Sequence, residues 1–478
     1  MEQIDSRPLT GHQRSIIALA IVANISEFFD MFLIGFAVVQ LQKEWSLGGF
    51  ETGVILACSG LGTVLGSVLW GRAADRMGRR RTFFWCVLIF TVFTLASVFT
   101  PTGWWVMLAL LRVLVGVGVG GLNIVSIPYV QEFVPTRQRG LLAGLGSVFI
   151  PLGLFLGSLS QRLLHDNWRG LIALGAVPIL LLVWIRIVPE SPRFLLSHGR
   201  EREARESIAW ALELSPDDVG ALPPVRTGPR IAYGELLRKH LRALLIVSVG
   251  SFCFILGSFT VQSWGQTLLE VGFADIGADA VGTLFMGVSL VDLLGRLASA
   301  WLADRIGRRW TVFSFGLIGA LGAVIVALSA HWETSWIVFF TGICITIGAV
   351  GALIAAFSTR MVHGDEIGSA GYVFFAGIFI VMMFGDGAFG ILNAFGGEQF
   401  PNGARGTGLG LGYGIGASAK ILGPLLMGVM IGSGSLQDLA HPLAAVFPAF
   451  LFFAVMLVLG GFIYLLARET KGESLEDI

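Results

Sequence analysis

The chain has 478 residues, of which 55% are hydrophobic and 13% charged, and its mean hydropathy is +0.78. Soluble domains carry about 25% charged residues, so a chain with half that share cannot coat itself against water, and lipid must be the solvent for much of it. The formal net charge is zero, which gives no case for nucleic acid or a polyanionic partner.

Residues 1–14 form a polar N-terminus with no cleavage site, and the first apolar run, Ser15 to Leu41, is too long for a signal-peptide core. A spanning helix needs about 20 mostly apolar residues. Such runs fall near 15–41, 50–71, 82–100, 103–128, 140–160 and 168–188, and resume near 242–269, 279–302, 310–330, 335–358, 371–397, 405–432 and 444–467. The segment 189–241 is the long hydrophilic stretch between them, and its charged run Arg200–Arg205 suggests short amphipathic helices at the membrane surface. The predicted organisation is an all-α membrane protein: an N-terminal six-helix bundle over 15–188, a linker over 189–241, a C-terminal helical bundle over 242–467 and a tail over 468–478. The 64 glycines suit close helix packing in lipid.

Basic residues set the orientation. Arg72, Arg76, Arg79, Arg80 and Arg81 follow the second run, Arg137 and Arg139 the fourth, and Arg305, Arg308 and Arg309 the eighth, while Arg193, Arg200, Arg202 and Arg205 lie in the linker. The opposite loops hold little beyond Lys43, Arg162 and Arg169, so the N-terminus and linker are expected to be cytoplasmic. Four cysteines (Cys58, Cys86, Cys253, Cys344) sit inside apolar runs without metal spacing, and seven histidines are scattered. Neither a metal, a cofactor nor a clustered catalytic set is expected, and the cysteines read as small buried hydrophobes.

The halves repeat each other. Gly71-Arg-Ala-Ala-Asp75-Arg76-Met-Gly78-Arg79-Arg80 returns as Ala303-Asp304-Arg305-Ile-Gly307-Arg308-Arg309, and Glu132-x-x-Pro135-x-x-x-Arg139-Gly140 returns as Glu398-x-x-Pro401-x-x-x-Arg405-Gly406. The first pair is offset by 229 positions and the second by 266, so the second half carries 37 extra residues between the landmarks. Three crossings there would put Glu398 on the wrong side. Twelve core crossings are therefore expected, with one stretch between 310 and 370 re-entrant, interfacial or half-spanning; a thirteenth helix is the alternative. Parallel six-helix repeats build a midplane site between two halves.

In the Asp75-Arg76-x-Gly78-Arg79-Arg80 loop, glycines permit a tight turn and the arginines can pair with Asp75 or Glu132. A positive-inside cluster that only sets topology is the plain alternative; the ordered spacing favours a gating turn. Ionisable residues within the runs are costly and point to function: Glu27 and Asp30, Arg112, Asp292 and Arg296, Asp386, and Lys420. At a rise of roughly 1.5 Å per residue, Asp30, Arg112 and Lys420 lie roughly 22, 24 and 21 Å from the cytoplasmic end of their helices. All three meet near the bilayer centre. Asp30 and Arg112 are expected to pair and, with Glu27, to serve proton coupling: protonation of Asp30 releases Arg112. A purely structural ion pair is the alternative. Asp292 and Arg296, four apart on one helix, read as a local structural pair.

The loop matches the major facilitator signature. Arg112-x-x-x-Gly116-x-Gly118-x-Gly120-Gly121, Pro189-Glu190-Ser191-Pro192-Arg193 and Glu469-Thr470-Lys471-Gly472 add to it. Over nearly its whole length the chain resembles the sugar porters and the related aromatic-acid and metabolite proton symporters. The resemblance implies a major facilitator fold of two six-helix bundles with pseudo-two-fold symmetry and a possible extra segment in the second. It also implies cytoplasmic ion-pair networks that hold an outward-open state, formed by Asp75, Arg76, Arg79, Arg80, Glu132, Arg139, Glu190, Asp304, Arg308, Glu398, Arg405 and Glu469. Aspartate in helix one and arginine in helix four couple protons in the sugar porters that this pattern resembles.

Substrate features depart from the sugar pattern. Phe259-Thr-Val-Gln262-Ser-Trp264-Gly-Gln266-Thr267 has separated glutamines and no Asn-Tyr continuation, and Val148–Gly157 lacks a glutamine for sugar contact. Glu27-Phe-Phe-Asp30 resembles the acidic pair of aromatic-acid symporters, with Glu for the first Asp. Lys420-Ile-Leu-Gly423-Pro424 resembles their eleventh helix, with Lys for Arg. Lys420 is a midplane cation able to hold a carboxylate. Gln262, Gln266, Trp264, Asn393 and Asp386 complete the candidate substrate site, and Trp264, Phe259, Phe375 and Phe389 could supply an aromatic wall, or simply pack. The expected activity is proton-coupled symport of a small organic anion, a carboxylate with an aromatic body as one form, in the plasma membrane. The expected partners are substrate, protons and lipid, and a monomer suffices. A sugar or polyol symporter and a drug-efflux antiporter are the alternatives.

Overall fold

A computed structural model describes residues 7–135, 145–164, 167–220, 222, 233–272, 278–329, 369–401, 405–432 and 440–471. Among them are twelve helices long and apolar enough to cross a membrane. They are α1 (Gly11–Trp45), α2 (Gly49–Ala74), α3 (Arg79–Val98), α4 (Trp105–Phe133), α5 (Leu145–Leu164) and α6 (Trp168–Ile187), followed by α7 (Leu241–Leu269), α8 (Ala280–Ile306), α9 (Arg308–Leu328), α10 (Val373–Glu398), α11 (Thr407–Ile431) and α12 (Val446–Leu465). The apolar run at 335–358 lies outside the described residues. Arg308 Nε nevertheless stands 3.0 Å from Glu398 Oε2. The end of α10 therefore lies on the same face of the bundle as the start of α9, as the repeat requires.

Two matching turns define that face. Gly78 and Gly307 have φ of +94° and +99°, left-handed values that disfavour any residue with a Cβ. Each closes its preceding helix by donating its N–H to the carbonyl four residues back, Ala74 and Ala303, and α3 and α9 start at the next residue. The end carrying these turns is called the motif face below. In the linker, Pro192–Ser197, Glu201–Leu212 and Tyr233–Lys239 are short helices. The second is amphipathic: it buries Ala204, Ile208, Ala211 and Leu212. Its Trp210 ring stacks on His12 at 4.1 Å, tying the linker to the base of α1.

Helix association in lipid has little hydrophobic drive and relies on close packing at small residues. The halves meet through α5 against α8 and α2 against α11. A Cβ on Gly53 would fall 2.8 Å from the Pro424 carbonyl oxygen and 3.0 Å from Gly428 Cα, so only glycine permits the α2–α11 approach. That contact lies away from the motif face. Nearer the motif face, a Cβ on Gly410 or Gly414 of α11 would meet no atom of the described residues within 4 Å. The outer surface presents large apolar side chains such as Leu69, Leu110 and Trp301, as a lipid-facing surface requires.

Candidate transport site

The charges at mid-depth are gathered from five helices. Arg112 on α4 grips Asp30 on α1 at both ends, with Nη1 3.1 Å from Oδ1 and Nη2 2.6 Å from Oδ2. Its Nε donates to Ser59 Oγ on α2 at 3.1 Å, and Thr94 on α3 donates to Asp30 Oδ1 at 3.3 Å. Asp30 and Arg112 are 2% and 1% exposed. Such a pair survives in a low-dielectric interior only with this geometry and these added hydrogen bonds. The last wall is α6, which breaks at Gly175 between an α-helical and a 3₁₀ turn. A Cβ there would lie 2.8 Å from Asp30 Oδ1.

Lys420 enters from α11, 4% exposed. Its ammonium lies 5.1 Å from the Phe28 ring centroid and 5.5 Å from that of Phe259, a cation–π slot between α1 and α7. It makes no hydrogen bond or ion pair among the described residues. The fully buried Glu27, one turn before Asp30, is the carboxyl within its electrostatic reach. Gln262 and Gln266 are buried on α7, and both polar atoms of the Gln266 carboxamide lack a partner among the described residues. Asn393 on α10 has an unpartnered Oδ1.

Two residues expected at this site have other attachments. Trp264 donates its indole N–H to the Pro424 carbonyl at 3.2 Å, pinning α7 to the kink of α11. Asp386 sits in a π-helical turn of α10 and pairs with Arg296 of α8, away from Lys420. Arg296 also binds Asp292 at 3.2 Å and donates to the Ser147 carbonyl of α5 at 2.8 Å. The expected local pair is thus a triad that also reaches the other half. Of the remaining aromatic wall, Phe389 faces the Arg296 guanidinium at 6.0 Å and Phe375 meets Phe379 edge-to-face at 4.6 Å.

At the motif face the two halves carry the same network twice. Glu190 accepts the backbone N–H groups of Arg79 and Arg80 at 2.8 and 3.1 Å. Glu469 accepts those of Arg308 and Arg309 at 3.0 and 3.1 Å. Carboxylates are favoured at such helix N-termini by the free N–H groups and the helix dipole. Ser191 donates to Glu132, and Thr470 donates to Glu398 at 2.5 Å. Arg79 stands 3.9 Å from Glu132, and Arg80 spends its guanidinium on the Ile185 and Arg186 carbonyls. These contacts join residues of the same half. Arg76 and Asp304 are exposed. The side chains of Asp75, Arg139 and Arg405 lie outside the described residues. Ser191 and Thr470 were readable as a third repeat, Glu-Ser against Glu-Thr, directly after α6 and α12. Ser59, Thr94 and Phe28 carried no such signal.

Comparison with known proteins agrees with this architecture. The family model described as "Sugar (and other) transporter" matches residues 16–478. A probable metabolite transport protein, CsbC of Bacillus subtilis (strain 168), is 28% identical over 94% of this chain and 90% of its own. The niacin transporter NiaP of Acinetobacter baylyi (strain ATCC 33305 / BD413 / ADP1) is 26% identical over 100% of this chain and 99% of its own. An inward-open structure of the xylose transporter XylE from E. coli superposes with a TM-score of 0.68 at 19% identity, covering 97% of this chain and 98% of that one. The chain is a multi-pass membrane transporter with a major facilitator fold, and it belongs to the sugar (and other) transporter family.

Proposed function

We propose that this transporter is a proton-coupled symporter of a small organic anion, a carboxylate with an apolar and preferably aromatic body. The observation that carries the reading is Lys420, a buried ammonium without an ion pair among the described residues, framed by the Phe28 and Phe259 rings. Arg112 is already satisfied by Asp30, so Lys420 is the cation left for a substrate carboxylate, and the two rings suit an aromatic body. Charge balance supplies the coupling. Glu27, Asp30, Arg112 and Lys420 sum to zero; a bound carboxylate adds a negative charge that the bilayer core penalises by several kcal/mol. A proton on Asp30 or Glu27 restores neutrality, so solute and proton travel together. Alternating access then follows as the halves rock about α2–α11 and α5–α8, with the motif face cytoplasmic in a plasma membrane and a monomer as the working unit. The turn networks around Glu190 and Glu469 keep each half rigid while it moves, and Asp75, Arg139 and Arg405 extend those networks. The relative named as a niacin transporter, whose cargo is a pyridine carboxylate, supports the carboxylate reading.

A second reading, a sugar or polyol symporter, is favoured by Gln266, whose buried and unpartnered carboxamide suits a hydroxyl-bearing ligand. Competition experiments in proteoliposomes with an inward pH gradient separate the two. The anion reading expects benzoate and nicotinate to compete for uptake and hexoses and polyols to fail. Competition by hexoses alone contradicts it.

A further inference from the structure

The transport reading leaves the triad on α8 and α10 without a role. Asp292, Arg296 and Asp386 are all buried, and Arg296 binds one carboxylate through Nε and the other through Nη2. Water has little access. Glycines bring the two backbones together at this level: a Cβ on Gly387 would fall 2.9 Å from the Gly295 carbonyl carbon, and one on Gly390 2.9 Å from that of Arg296.

Two carboxylates and one guanidinium leave a charge of minus one. Among the described residues, no second cation pairs with either carboxylate. The helices packed around the triad are α5, α7 and α9. Their described charged side chains are Arg162 on α5, Arg242 on α7, and Arg308 and Arg309 on α9; Asp304 and Arg305 on α8 and Glu398 on α10 complete the set, and all stand at helix ends. Cys253, the other titratable side chain at mid-span in these helices, packs on Gly460 of α12. Among the described residues, the ion pairs of Arg296 are those with Asp292 and Asp386. Two buried carboxylates thus converge on a single guanidinium. Like charges sharing a buried site disfavour double ionisation, and one proton between the two carboxyl groups relieves this.

We propose that this triad is a second proton-binding site, in which Asp292 and Asp386 hold one proton between them around Arg296. The site lies in the half opposite the Asp30–Arg112 pair and does not depend on what is carried. With the proton bound the triad is neutral, and the remaining guanidinium edge is free to donate to Ser147 of α5, as observed. Loss of the proton leaves two carboxylates competing for Arg296 and weakens that bond between the halves. Proton occupancy thus supports the α5–α8 contact.

Infrared spectroscopy of the purified full chain, labelled with ¹³C at the aspartate carboxyl carbon, tests this without any substrate. Aspartates in water are ionised at neutral pH, Glu27 carries no label, and the Asp30→Asn variant reports any band from the Arg112-paired Asp30. The expected result is a label-shifted carbonyl stretch of a protonated aspartic acid at pH 7, retained in Asp30→Asn and lost in Asp292→Asn and Asp386→Asn. The conservative Asp292→Glu, which keeps the carboxyl, should move part of the band out of the labelled position. A wild-type spectrum with no such band overturns the proposal even if every variant fails to fold. A band that persists in both asparagine variants, or that vanishes with Asp30→Asn, overturns it as well.

Discussion

Glu190 and Glu469 occupy equivalent places 279 positions apart, each directly after the last helix of its half, and each caps the first two N–H groups of a helix that begins at a left-handed glycine. The neighbouring Ser191 and Thr470 repeat the likeness by donating to Glu132 and Glu398. The duplication therefore survives as a shared hydrogen-bond scheme as well as a shared sequence order.

The equivalence predicts equal penalties. Glu190→Gln and Glu469→Gln each lose charge from two helix-cap hydrogen bonds, at about 1 kcal/mol per bond. Thermal unfolding in detergent should fall by similar amounts for the two variants. A large loss in one and none in the other would mean that the networks are not equivalent.

Lys420→Gln removes a charge-assisted bond to the proposed carboxylate, worth about 1.5–3 kcal/mol, so KM for the anion should rise about 10- to 100-fold. Lys420→Arg keeps the charge but forces a planar fork into a slot framed by rings 5.1 and 5.5 Å away, and should fall between the two. Initial-rate uptake measures both, and an unchanged KM in Lys420→Gln would remove the anion site from α11.

Gly175→Ala places a Cβ 2.8 Å from Asp30 Oδ1 and 3.1 Å from Thr94 Cγ2. Overpacking of this kind costs about 1–3 kcal/mol, here delivered to the Asp30–Arg112 pair. The pH dependence of uptake should shift while the protein still folds, as judged by size-exclusion chromatography. An unaltered pH profile would show that α6 does not constrain the pair.

Trp264→Phe keeps one aromatic ring but deletes the indole N–H that binds the Pro424 carbonyl and the second ring that fills this buried place. A loss of about 1–3 kcal/mol is expected from the missing bond and the cavity together, read as a lower melting temperature with little change in KM. A large KM effect with unchanged stability would return Trp264 to the substrate wall.

The Asp30–Arg112 meeting was legible because helical rise converts sequence position into depth, and hydrocarbon forbids leaving either charge alone. The turns at Gly78 and Gly307 were legible because left-handed backbone needs glycine. Asp386 was not, since its direction depends on a π-helical turn and on the register of α10 against α8, neither of which local spacing encodes. Ser147 was invisible for a related reason: its contribution is a backbone carbonyl. Phe28 was hidden among 36 phenylalanines, where composition cannot say which ring stands over a lysine.

The central claim is that Asp30 links solute movement to protons. Uptake of labelled nicotinate into proteoliposomes under an imposed inward pH gradient, with solute exchange at equal pH as the control, tests it most directly. The account predicts accumulation above equilibrium in the wild type, and in Asp30→Asn its loss with exchange retained. Gradient-driven accumulation in Asp30→Asn equal to that of the wild type would contradict it.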